Sequence, residues 1–68
     1  EEWPLTHEPT DTGHIYVFYD GVPQPDFDGT DTHWHYDQSS NSIVFDIIPD
    51  AQILIEIAYY YEEQDTGN

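Results

Sequence analysis

Apolar and polar residues alternate with a period of two along most of this chain, and in no window is the 3.6-residue period of a helix sustained. Over residues 14–19, Ile15, Val17 and Tyr19 share one side of an extended segment while His14, Tyr16 and Phe18 share the other. Asp20-Gly21 follows, a pair that readily takes the positive φ of a tight hairpin turn, and Val22 opens a short return strand limited by Pro23 and Pro25. Residues 33–37 alternate again, with Trp34 and Tyr36 opposed to His33 and His35, and a polar turn is expected over 38–41. A strand is predicted over 42–48 with Ile43, Phe45 and Ile47 on one face, ending at the turn Pro49-Asp50-Ala51. The last predicted strand spans 52–61, with Ile53, Ile55, Ile57, Tyr59 and Tyr61 in register. Its other face carries Leu54, Ala58 and Tyr60 beside Gln52 and Glu56, so it is expected to be covered on both sides by a second sheet or a partner. Residues 1–13 contain Pro4 and Pro9 and read as an edge strand, with Trp3 and Leu5 docking on a sheet, followed by a turn.

These segments predict an all-β domain over residues 1–61, a small antiparallel Ig-like or Greek-key β-sandwich of about five to seven strands. An acidic C-terminal tail is expected over 62–68. Sixty-eight residues lie near the lower limit for a self-sufficient core, because so short a chain buries only about 60% of its unfolded surface. No cysteine is present to staple it, so the expected supplements are a bound metal, neighbouring domains or copies of itself.

Charge changes the picture most. Fifteen Asp and Glu stand against no Lys or Arg, for a formal net charge of −15. Surface ion pairs are therefore expected to be excluded, and the self-repulsion opposes compaction. Direct nucleic-acid binding is excluded as a class, since phosphate neutralisation needs cationic side chains, and so is attraction to anionic lipid. No apolar run approaches the length of a membrane span. Two Trp, six Tyr and three Phe argue for a packed core and against a disordered acidic tail. With neither Met nor a cationic leader segment, the chain reads as a processed or excised piece, and the lack of trypsin-type cleavage sites suits an extracellular setting.

Four groups of residues could carry chemistry. Asp26-Phe27-Asp28-Gly29-Thr30-Asp31 spaces carboxylates around a glycine as a Ca²⁺ loop does, with Asp26, Asp28 and Asp31 as side-chain ligands and the Thr30 carbonyl as a fourth; the same residues also make an ordinary solvated turn. His33 and His35, two apart on a strand, could present two nitrogens to a transition metal, although spacing fixes no third ligand and exposed titratable histidines are the plainer reading. Trp3, Tyr59, Tyr60 and Tyr61 form an aromatic group suited to a core, a subunit contact or a sugar platform. Ser39, Ser40 and Ser42 lie outside any nucleophile motif, and so many acids make carboxylate pairs uninformative. No nucleophile, base or cofactor motif can be placed, and the chain is not expected to be an enzyme.

The run Ile15 to Val22, the segment Trp34-His35-Tyr36-Asp37, the stretch Asn41 to Phe45, Pro49, and the strand Ile53 to Tyr59 together resemble a small β-sandwich module of bacterial surface and secreted proteins. Similar pieces occur as repeats beside von Willebrand factor A domains and in phage tail-fibre proteins. The resemblance spans roughly residues 3 to 61 and rests on turns and core aromatics, so it implies a fold and an extracellular location and no activity. Loss of every basic residue and the histidines around Trp34 depart from the pattern. The expected function is a non-enzymatic extracellular structural, adhesion or binding module at the cell surface, stabilised by Ca²⁺. The alternatives are a filament protomer assembled by β-strand complementation, or an acidic DNA mimic that occupies a basic protein partner.

Overall fold

In the computed structural model, residues 1–62 are described, and among them there are six strands and no helix. The strands are β1 (Glu2–Pro4), β2 (Ile15–Tyr19), β3 (Val22–Gln24), β4 (Trp34–Asp37), β5 (Ser42–Phe45) and β6 (Ile55–Tyr59). They form two three-stranded antiparallel sheets, ordered β1-β5-β4 and β3-β2-β6. Beyond Glu62, the expected acidic tail lies outside the described residues.

Alternation decides which side chains meet. Ile15 and Val17 of β2 gather with Trp34 of β4 and Ile43 and Phe45 of β5 into one buried cluster. Trp3, Leu5, Tyr19, Tyr36, Ile55, Ile57 and Tyr59 pack around it. Both sheets thus contribute to one apolar cluster, and removal of that surface from water stabilises two such short sheets. Rings close the contact: Trp3 meets Phe45 edge-on at 5.9 Å between centroids, and Tyr19 lies 6.4 Å from Phe45.

Local chemistry sets the connections. The β2–β3 hairpin turns on Asp20 at φ 52° and Gly21 at φ 81°, both left-handed, as a two-residue turn matched to strand twist requires. The Asp20 carboxylate also accepts the Leu54 N–H at 2.9 Å, while the Asp20 N–H donates to the Leu54 carbonyl at 2.8 Å, which tethers the turn to β6. In the β4–β5 turn, Asn41 stands at φ 51°. Its carbonyl accepts from Leu5 N–H at 2.9 Å, its amide nitrogen donates to the His7 carbonyl at 2.9 Å, and its side-chain oxygen accepts from the Tyr36 hydroxyl at 2.6 Å.

Two predicted strands are shorter than expected. Strand β5 ends at Phe45, because the N–H groups of both Asp46 and Ile47 turn onto the His33 carbonyl. Ile47 is consequently exposed and does not share the inward face of Ile43 and Phe45. The last strand begins at Ile55 and not at 52, because Ile53 N–H bonds back to the Asp50 carbonyl and Gln52 N–H to the Asp50 carboxylate, spending those residues on a turn. Among the described residues this strand is covered on one side: Ile55, Ile57 and Tyr59 are half-buried, whereas Leu54, Glu56, Ala58 and Tyr60 are exposed.

Candidate functional site

The loop expected to bind Ca²⁺ is closed by its own hydrogen bonds. Phe27 bridges Thr32, the Asp28 N–H donates to the Asp31 carbonyl, and Gly29 sits at φ 99°. One Asp28 carboxylate oxygen accepts the N–H groups of Thr30 (2.8 Å) and Asp31 (2.7 Å), and the other lies 2.7 Å from His33 Nε2. The Asp31 N–H, then His33, then the Thr30 N–H hold the Asp28 carboxyl down at about 2, since each favours the anion. Asp26 directs one oxygen to the Phe27 N–H. Asp26, Asp28 and Asp31 are not gathered as a shell, and among the described residues no group of three or more His, Cys, Asp or Glu is placed to hold a metal ion.

His33 and His35 are likewise not brought onto a common centre. His33 precedes β4 and faces Asp28, whereas His35 Nδ1 lies 2.8 Å from Asp46. A third pair, His14 with Asp11 at 2.6 Å, is one that spacing did not single out. The Gly13 N–H and then His14 lower the Asp11 carboxyl below its ordinary value. Three of the four histidines therefore each face one aspartate, and the fourth, His7, stacks on Tyr61 at 3.8 Å and 13°.

The aromatic group divides between two faces, as a period of two dictates. Trp3 and Tyr59 pack toward the core, and the Tyr59 hydroxyl accepts the His7 N–H at 3.0 Å. Tyr60 points outward at 66% exposure, and Tyr61 bridges Pro9. No single platform of Trp3, Tyr59, Tyr60 and Tyr61 exists.

The surface best suited to a partner is β6 itself. Its neighbour on one side is β2, extended past His14 by Pro9 and Thr10, whose N–H donates to the Tyr60 carbonyl at 2.9 Å. The bonds at Leu54 and Tyr60 fix the ladder phase: the even-numbered residues of this stretch turn their backbone groups to β2. The N–H and C=O of Ile55, Ile57 and Tyr59 therefore line the opposite edge, where no strand of the described residues pairs.

The other three edges differ from it: two carry a proline and the third is crossed by a loop at its entry. Pro4 lies in β1 and Pro23 in β3, each at a position whose missing N–H belongs to the open side. Residues 24–26 lie against the entry to β4, where Trp34 Nε1–H donates to the Gln24 carbonyl at 3.0 Å and His33 N–H to the Asp26 carbonyl at 2.6 Å, while the outward backbone groups of Trp34 and Tyr36 take no bond from them. Strand β6 has five residues, no proline, no lysine and a single charge, Glu56. Beside it the outward face of the sheet shows Tyr16 (45% exposed), Leu54 (64%) and Tyr60, with Ala58 between them. The alternation of 54–60 hinted at this surface. The open edge depends on long-range pairing, which local pattern does not specify.

A cleft of about 320 Å³ opens where β6 meets β1, lined by Trp3, Ile48, Pro49, Ile53 and Ile55 with the acids Glu1 and Asp50. No helix of the described residues is long and apolar enough to cross a membrane. No protein-family model, no curated protein and no solved structure matches the chain, so the likeness to bacterial surface modules rests on the residues quoted above alone.

Proposed function

We propose that this domain is a non-enzymatic extracellular binding module that takes an extended segment of a partner onto the open edge of β6. The observation that carries the reading is the contrast among edges of the described residues: β1 and β3 carry a proline, a loop crosses the entry to β4, and β6 offers five residues without proline whose unpaired backbone groups lie next to exposed apolar side chains. Strand addition gains affinity from main-chain hydrogen bonds and specificity from alternate side chains. An edge without Pro, Lys or a bulge is where such addition is least opposed. The meeting of both sheets in one apolar cluster supports an Ig-like or Greek-key sandwich as the architecture, in keeping with the module resemblance.

Panning a random peptide library against the folded domain, followed by amide hydrogen exchange, tests this. Recovered ligands are expected to slow exchange at Ile55, Ile57 and Tyr59 while leaving Glu56 and Ala58, already bonded to β2, unchanged. Ligands that bind yet leave those three amides exchanging freely would overturn the reading.

A further inference from the structure

Resting on that edge reading, we infer that the segment seated on β6 alternates apolar residues with Lys or Arg. Side chains of an added strand alternate between two environments. On the inward side they continue the row of Ile55, Ile57 and Tyr59 and reach the cleft lined by Trp3, Ile48, Pro49 and Ile53, which suits aliphatic or aromatic groups. On the outward side they stand beside Glu56, the one charge of the strand. Glu1 and Asp50 line the cleft on the inward side, so they add to the negative field of this edge and not to the outward row.

No lysine or arginine of this chain can answer those acids, because there is none, and the histidines paired with aspartate are committed to Asp11, Asp28 and Asp46. The cations must come from the partner. A second copy is the natural rival, since antiparallel pairing centred on Ile57 would set Glu56 opposite Ala58 without a like-charge contact. Such a copy nevertheless brings another net charge of −15 and no cation to the same surface. Complementary charge accelerates encounter and rejects wrong partners, whereas like charge costs both. A cationic strand is therefore favoured over the copy on electrostatics and matches it in backbone pairing.

The test uses the whole chain and three synthetic peptides of about eight residues, the length of a long strand. One alternates Val and Lys, one carries the same residues as a Val block followed by a Lys block, and one alternates Val and Glu. The alternating Val/Lys peptide is expected to bind about tenfold or more tighter than the block peptide, to protect the amides of Ile55, Ile57 and Tyr59, and to weaken as salt rises from about 50 to about 500 mM. Glu56→Gln should weaken it several-fold with unchanged circular dichroism, and Glu56→Lys should move the preference toward the Val/Glu peptide. Equal binding of alternating and block peptides would reduce the effect to a diffuse acidic surface and overturn the proposal. If Val/Glu binds as well as Val/Lys, or sedimentation reveals a dimer protecting the same amides, the partner chemistry is wrong while the edge reading survives. If no peptide protects those amides and library panning also fails, the edge reading itself falls.

Discussion

Strands β5 and β6 are both short and both turn isoleucine inward, yet they live in different surroundings. Strand β5 is the middle of its sheet, hydrogen-bonded to β1 and β4, and Ile43 is 0% exposed. Strand β6 is an edge, and its inward residues are only half-buried. The same residue type is thus enclosed in one strand and left half-covered in the other. Position in the sheet sets how deeply an inward isoleucine is buried.

The comparison can be broken first at the centre. Ile43→Ala should cost about 2–5 kcal/mol, because the enclosed site cannot relax around the deleted atoms, and in a domain this small that loss can abolish folding. Ile57→Ala, at the half-buried strand, should cost clearly less; equal losses in urea denaturation would mean that β6 is as deeply held as β5. Gly21→Ala should cost about 1–2 kcal/mol by placing a Cβ on a residue at φ 81°, and the loss should appear as faster exchange in β2 and β3 before β5.

Acid probes a smaller effect. Asp28 has an ordinary value of 3.8 and is held at about 2, so its stabilisation is complete above about pH 4 and disappears as pH falls toward 2. Protonation of the other acids over the same range relieves repulsion and acts in the opposite direction. The difference between the protein and its Asp28→Asn variant isolates the loop: the variant should be less stable near neutral pH, and the gap in denaturation midpoint should close near pH 2. A gap that persists there would mean that packing, not the anion, holds residues 26–33. The smallest effect belongs to the outward face, where Leu54→Ser should change stability by no more than about 0.5 kcal/mol.

Much of this architecture was legible in residue order. Period-two patterns located β2, β4, β5 and β6, Trp3 and Leu5 marked the edge strand β1, and Asp20-Gly21 announced the hairpin to β3 because few residues tolerate two successive left-handed positions. Strand ends were less legible. Whether Ile47 continues β5 depends on the His33 carbonyl, which comes from another strand's entry and leaves no mark in the local pattern. The loop carboxylates were visible as a group, but their use was not: Asp28 turns to its own loop's N–H groups, and His35 meets Asp46 only because β4 and β5 fold together. The edge of β6 was illegible for the same reason, since an open side is a property of the completed sheet.

Asn41 has a consequence for how the molecule comes apart. It fastens Leu5 and His7, and the same stretch of chain runs from β1 in one sheet to Pro9 and Thr10 alongside the last residues of the other. The first ten residues thus act as a strap buckled at Asn41, so that neither layer can peel away without unthreading the other. Opening should be concerted, with slowly exchanging amides of both layers reporting one shared free energy, and cutting the Asn41 side chain back to alanine should split that value into two.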